Sequence, residues 1–478
     1  MRRLSLSILC ILACAFAQAR IVPSNIFTDG MILQQQSKAS VWGTATPKSS
    51  ITVSASWGAS ATCRTDESGH WKAELKTPEA SYKTYVVKIS GDGSNITIKD
   101  VLIGEVWLAS GQSNMEMPLR GFFNCPVENA AEYISAAPAR EKIRMFYVPV
   151  KQSFEPLEQV DGRWLKADPD ERKEMSATAY FFALKLNEVL NVPVGIVSLP
   201  YGGARVESWT PKEMLEEYGS EDLSEEAVTA MMHYLRPYMA YNAMLYPLRG
   251  YTVKGFIWYQ GCSNVGKEDQ FVERMCKMID RWRADWNDSE AKLPFYTVEI
   301  APYRYKGDQM QQAPALRQAQ HDVTKVARNC EIVVTNDLVG SFEKDNIHPC
   351  KKKPVGDRLA YLALNRDYGF SNIACYSPEA VKAVKMAASS EIGVQLTNCE
   401  NGLDRWMEIE GLEVAGSEGI FYPVTYAYFE WDQRVLRVRS EFVFDPKAVR
   451  YGWDDFKPGN LHNCEGLPVS PFYVTLEE

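Results

Sequence analysis

Val101-Leu102-Ile103-Gly104-Glu105-Val106-Trp107-Leu108 is an almost wholly apolar run, and Ser110-Gly111-Gln112-Ser113-Asn114-Met115 follows it at once. The run reads as a buried strand, and the glycine-containing segment as a tight turn leaving it. A serine on such a turn stands clear of its own backbone, and the N–H groups that follow can point at a developing oxyanion. This strand-turn-serine unit sets the frame into which the rest of the chain is read.

Downstream, apolar strand candidates at Val194-Gly195-Ile196-Val197-Ser198-Leu199, Val253-Lys254-Gly255-Phe256-Ile257-Trp258, Pro294-Phe295-Tyr296-Thr297-Val298-Glu299 and Glu331-Ile332-Val333-Val334-Thr335 alternate with helical stretches. Those stretches include 177–190 and 270–286, where apolar residues recur at three- and four-residue steps. Strands separated by helices predict an α/β fold with a mostly parallel sheet covered on both faces. Ligands of such sheets sit beyond the carboxyl ends of the strands. Ser113, Gly203 and Gln260 each follow a strand candidate closely, as one common site requires.

Asp345-Asn346-Ile347-His348-Pro349 supplies an imidazole and a carboxylate three residues apart. A serine needs a base within hydrogen-bonding reach; His348 is the candidate, and Asp345 is expected beside it, holding the ring and stabilising the imidazolium. Taken singly, the serine segment could be an ordinary helix-capping turn, and the Asp-x-x-His segment a loop aspartate with a surface histidine. Together they point to acyl transfer.

Both motifs resemble those of the SGNH hydrolases, and the wording Gly111-Gln112-Ser113-Asn114-Met115 resembles the sialate O-acetylesterase group of carbohydrate esterases. Tyr201-Gly202-Gly203-Ala204-Arg205-Val206-Glu207-Ser208-Trp209 and Trp258-Tyr259-Gln260-Gly261-Cys262-Ser263-Asn264 are similar to that group's second and third blocks, in the same order. The flanks resemble it too, from Phe27-Thr28-Asp29-Gly30-Met31-Ile32-Leu33-Gln34 and Val41-Trp42-Gly43 to Gly459-Asn460-Leu461 and Ser470-Pro471-Phe472. The resemblance implies an SGNH-type three-layer α/β/α hydrolase domain. It also implies an oxyanion hole made by the Ser113 and Gly203 N–H groups with a side-chain amide from Gln260, or second from Asn264. Gln112, Arg205 and Trp258 are the candidate substrate-binding side chains. Arg205 could grip a sugar carboxylate in two places, Arg120 is a weaker candidate on the same logic, and Trp258 could equally be a packing aromatic.

The third block departs from the family in one place. Cys262 stands where the family usually has glutamate. A buried cysteine is a small, nearly neutral filler; the alternative is a thiol nucleophile paired with His348, which would need an electropositive setting.

Residues 1–19 carry Arg2, Arg3, an apolar run over 4–16 and Ala17-Gln18-Ala19, the pattern of a secretory signal peptide cleaved after Ala19. The expected location is secreted or periplasmic, with no membrane span in the mature chain. Residues 20–100 alternate short β-rich runs with turns and predict an N-terminal β-sandwich domain; 101–375 form the hydrolase domain; 376–478 return to short strands and predict a C-terminal β domain. Removing Arg2 and Arg3 takes the formal charge from −9 to −11, so nucleic acid is not an expected partner. An apolar fraction of 46% with 12% aromatics suffices for sizeable cores. Nine cysteines remain outside the signal, an odd number, so at least one is free or pairs between chains. No cysteine or histidine has metal-ligand spacing, and the chemistry calls for no metal and no cofactor. Oligomeric state is left open.

The expected function is a serine esterase removing O-acetyl groups from sugars through an acetyl-enzyme, with O-acetylated sialic acid implied by the resemblance. Acetylated xylan or another plant glycan is the alternative substrate. A glycan-binding protein with a decayed hydrolase domain, motivated by Cys262, is the alternative from another class.

Overall fold

The computed structural model describes residues 21–476 except 137–141, 308–310, 389 and 405–407. The expected signal peptide lies outside the described residues.

The strand anticipated from residue 101 is longer than expected. It runs as one element, Ser94–Gly111. Its first half pairs antiparallel with Ser81–Gly91, and its second half pairs parallel with Val194–Ser198 on one side and Gly255–Tyr259 on the other. The division expected at residue 100 therefore falls inside a continuous strand. Outward from this pair the sheet continues in parallel through Ile143–Tyr147 on one flank and through Phe295–Val298 and Cys330–Val333 on the other. Arg163–Lys166 closes the first flank antiparallel.

Alternating side chains of the central strand enter different cores, the period-two consequence of a strand covered on both faces. Trp107 and Ala109 pack with the helices Ala177–Leu190 and Lys353–Asp367. Val106 and Leu108 pack with residues of Glu268–Asp285 and Ala313–Val326. The α/β class follows directly from this alternation. Because the strands run the same way, Gly111, Ser198 and Tyr259 all end at one edge of the sheet, where the loops carrying Ser113, Gly203 and Gln260 begin.

The N-terminal segment is β-rich: Lys38–Thr44 pairs antiparallel with Val22–Pro23 and with His70–Lys76. It shares one core with the central sheet, Val41 and Trp71 lying in the same cluster as Val106 and Phe256. The C-terminal segment forms two four-stranded antiparallel sheets around a separate core that includes Val394, Val414, Leu436 and Val449. No helix among the described residues is long and apolar enough to cross a membrane.

Candidate active site

Gly111 turns the chain out of the central strand at φ +130°, and a Cβ there would stand 2.2 Å from the Tyr259 carbonyl oxygen of the neighbouring strand. Only glycine tolerates both conditions. The Gln112 N–H donates to that same carbonyl at 2.9 Å, and Ser113 opens the short helix Ser113–Glu116, half-buried. Across the turn, a Cβ on Gly202 would lie 3.5 Å from Ser113 Cβ, and the Gly202 N–H donates to Glu116 Oε2 at 2.6 Å. Gly203 follows at φ +79°, its open side covered by the Tyr234 ring. Among the described residues neither the Ser113 N–H nor the Gly203 N–H has a protein acceptor. Two unpaired donors beside one hydroxyl are what an oxyanion site needs.

His348 is brought to this turn by Asn114. The Asn114 Nδ2 donates to the Ile347 carbonyl at 2.9 Å, while Asn114 Oδ1 accepts from Lys352 Nζ. The imidazole meets the edge of Phe122, ring centroids 5.2 Å apart. Its Nδ1 lies 3.9 Å from Cys125 Sγ, and its buried Nε2 has no partner among the described residues. Burial, with the nearby Lys352 charge, pushes His348 down to about 4. The ring is therefore neutral across ordinary pH, the form a general base requires.

Asp345 departs from expectation. Its carboxylate is gripped by Arg304 through contacts of 2.6–2.9 Å, and the Arg304 guanidinium holds it below the usual carboxylate range. Its side chain is 46% exposed, and no bond to His348 exists among the described residues. The reason is local. Asn346, not Asp345, folds back on the histidine: its Oδ1 accepts the His348 N–H at 3.0 Å and its Nδ2 donates to the His348 carbonyl at 2.9 Å. Asp345→Asn should accordingly lower kcat less than about tenfold, whereas amidating a carboxylate in direct contact with the base costs about 10⁴-fold. Steady-state kinetics on an aryl acetate measures the difference.

The two expected side-chain amides of the oxyanion hole are also placed otherwise. Gln260 is fully buried, and both Nε2 protons are used, on the Ala204 carbonyl at 3.1 Å and on Asn264 Oδ1 at 2.7 Å. Asn264 in turn accepts the Val206 N–H and donates to Glu207 Oε2. Glu207 is buried, which would raise its carboxyl, but Arg205 and Arg274 outweigh this and hold it low. The two amides thus brace the Gly202-Gly203 turn from behind. Arg205 belongs to the same brace: its buried guanidinium is bidentate to Glu221 at 2.8 and 2.9 Å and bonds the Leu235 carbonyl through Nε, so it is held as a structural ion pair and not presented to a ligand. Trp258 packs between Trp209, Trp282 and Phe295, 1% exposed, as a core residue and not a sugar platform. Gln112 is likewise buried and ties the Ser113 turn to the third block by accepting the Gly261 N–H at 2.8 Å.

A profile of the family described as carbohydrate esterase, sialic acid-specific acetylesterase matches residues 103–365. The chain belongs to this family. It is 28% identical to a sialate O-acetylesterase of Mus musculus over 515 residues, covering 93% of both chains. It is also 28% identical to the sialate O-acetylesterase of Homo sapiens over 74% of this chain and 72% of the relative. A crystallised carbohydrate acetylesterase from Xanthomonas citri matches with a TM-score of 0.82 at 32% identity, over 96% of this chain and all of the other. The protein is an esterase of this carbohydrate-directed family, as its four ordered motifs imply.

Around this candidate site the structure also places Asn114, Lys352, Cys125 and Glu207, which sequence reasoning did not single out as site residues. The first is written inside the nucleophile motif and the last inside the second block, so position alone could have flagged both. Cys262 is buried beside Tyr305, Gln112 and Lys352, and burial raises its thiol despite them. A protonated, enclosed thiol fits the filler reading and not a nucleophile. All nine cysteines of the described chain are free.

Proposed function

We propose that this protein is a secreted or periplasmic serine esterase that hydrolyses O-acetyl esters of sugars, with 9-O-acetylated sialic acid as its substrate. Ser113 Oγ attacks the acetyl carbonyl while neutral His348 takes its proton. The Ser113 and Gly203 N–H groups stabilise the oxyanion. The sugar alcohol leaves with the proton from His348, and water, activated by the same imidazole, hydrolyses the acetyl-enzyme. Two parts, nucleophile and base, do the proton transfer; the brace around Glu207 keeps the oxyanion turn in place. The observation that carries this reading is the pair of unclaimed N–H donors at Ser113 and Gly203, 3.5 Å from nucleophile Cβ to a Gly202 Cβ position, with the His348 loop anchored to Asn114.

The relatives named sialate O-acetylesterase support the substrate, and the SGNH-type three-layer domain with β-sandwich-like segments on either side is the architecture that goes with it. The N-terminal signal pattern supports export. Acetate release by the signal-free protein from 9-O-acetylated sialic acid, acetylated xylan and an aryl acetate tests the reading. Turnover of the sialate is expected. Turnover of xylan in its place would keep the mechanism and replace the substrate, and turnover of none would favour a binding protein.

A further inference from the structure

Beside the nucleophile turn opens a cleft of about 330 Å³, walled by Glu116, Arg120, Phe122, Tyr147, Arg163 and Glu174 among others. Two of its walls are continuous with the chemistry. Glu116 holds the Gly202 N–H, and Phe122 lies edge-on against His348. The lining also carries two exposed guanidiniums, Arg120 and Arg163, alongside the carboxylates of Glu116 and Glu174. Arg120 is 53% exposed and meets Glu174 through its Nε alone, at 3.1 and 2.9 Å. Its Nη1 reaches the Gly121 carbonyl at a long 3.3 Å. Arg163 is 59% exposed and pairs through Nη1 with Glu171, which lies outside the cleft. Arg205, by contrast, is 9% exposed and paired with Glu221. Glu116, pushed upward by burial, has one carboxylate oxygen occupied by the Gly202 N–H.

We propose that this cleft receives the sugar whose acetyl group is being removed, and that Arg120 binds the carboxylate of an acidic sugar there; the inference rests on the esterase reading above. An exposed arginine–glutamate pair is weak and readily exchanged. A substrate carboxylate entering the cleft can therefore take over the Nη edge of Arg120 with Glu174 retained on Nε, giving a charge-assisted contact at little cost. Tyr147, 40% exposed and part of the same lining, adds an aromatic side chain with a hydroxyl.

The experiment compares wild type with Arg120→Met on three probes: 9-O-acetylated sialic acid, its carboxyl methyl ester, and an aryl acetate. Arg163→Gln is the second variant, and unfolding curves confirm that both fold. In wild type the free acid should be preferred over its methyl ester. Arg120→Met should raise KM for the free acid about 10- to 100-fold, the range for a hydrogen bond to a charged group. It should abolish the preference over the methyl ester and leave aryl acetate turnover within about twofold. Equal losses on acid and ester, or an unchanged KM for the acid, would overturn the assignment to Arg120. A change confined to Arg163→Gln would move it to that residue and overturn it as well. If wild type hydrolyses none of the three probes, the esterase reading falls, and this inference with it; if it hydrolyses the aryl acetate but not the acidic sugar, only the inference falls.

Discussion

Ser113→Ala is expected to lower kcat for acetate release by about 10⁴- to 10⁶-fold, the loss seen when a serine that works jointly with a histidine is removed. Stability should change by no more than about 0.5 kcal/mol, because among the described residues the Ser113 hydroxyl makes no hydrogen bond and its methylene sits half-buried at a helix start. Loss of activity without loss of fold is what separates a nucleophile from a structural serine. Cys262→Ala supplies the opposing control. That thiol is enclosed and held protonated by burial, so its removal should leave kcat within about tenfold. Full activity in Ser113→Ala, or a collapse in Cys262→Ala with Ser113 intact, would exchange the two roles. Measuring the burst of aryl alcohol at high enzyme concentration adds a second reading, since only the true nucleophile accumulates an acyl-enzyme.

The parts of this site that could be read from the chain are those whose information is local. The run from Val101 to Leu108 is apolar because both faces of its strand are covered, and the following glycine is needed for a turn that a Cβ would block. Pattern and cause coincide there. The strand Ile143–Tyr147 escaped the same reading because Arg144 interrupts its apolar run. That arginine is 4% exposed and satisfied by Asp100 and the Gly30 carbonyl, partners far away in the chain. Likewise, nothing in the spelling of the third block says whether Gln260 and Asn264 face a ligand or a brace. The answer depends on Glu207 and Arg274, which belong to other elements. Asp345 shows the limit most clearly. Its spacing from His348 suits a dyad, but Arg304 is a stronger competitor for a carboxylate than a neutral imidazole, and it is supplied by a loop 41 residues away.

Lys352→Met is expected to lower kcat about 100-fold and to move the acid limb of the pH profile upward. Lys352 is 1% exposed, at the start of the helix that follows the histidine loop, and its Nζ donates to Asn114 Oδ1. With that donor gone, the Asn114 amide is fixed only through its Nδ2 on the Ile347 carbonyl, and the loop carrying the imidazole is expected to shift relative to the Ser113 turn. A displacement of about 1 Å in a reacting pair costs about 100-fold, equivalent to about 2.7 kcal/mol of barrier. The electrostatic effect has a definite sign. Burial is the first cause of the low His348 value of about 4, and the Lys352 charge is the second. kcat/KM falls as pH drops through the point where the free base takes up a proton, so the wild-type limb should lie near pH 4. Removing the ammonium leaves burial in place, and the midpoint should rise toward 6.5 without reaching it. The groups facing Lys352 are Cys262, Glu343, Cys350 and Cys125, with the Tyr259 ring 5.8 Å below it. Of these only Glu343 is a carboxylate, and burial has already pushed Lys352 down to about 7. Replacing so poorly compensated a cation with an apolar chain of similar length removes a desolvation cost but leaves the buried Asn114 Oδ1 without its donor, so an unfolding curve is recorded with the kinetics and kcat is compared where the variant is folded. A fall in kcat would then report position and not unfolding. An acid limb that stays at the wild-type pH, with kcat within a few-fold, would mean that the lysine merely fills space and that the histidine loop is held by Asn346 and Phe122 alone.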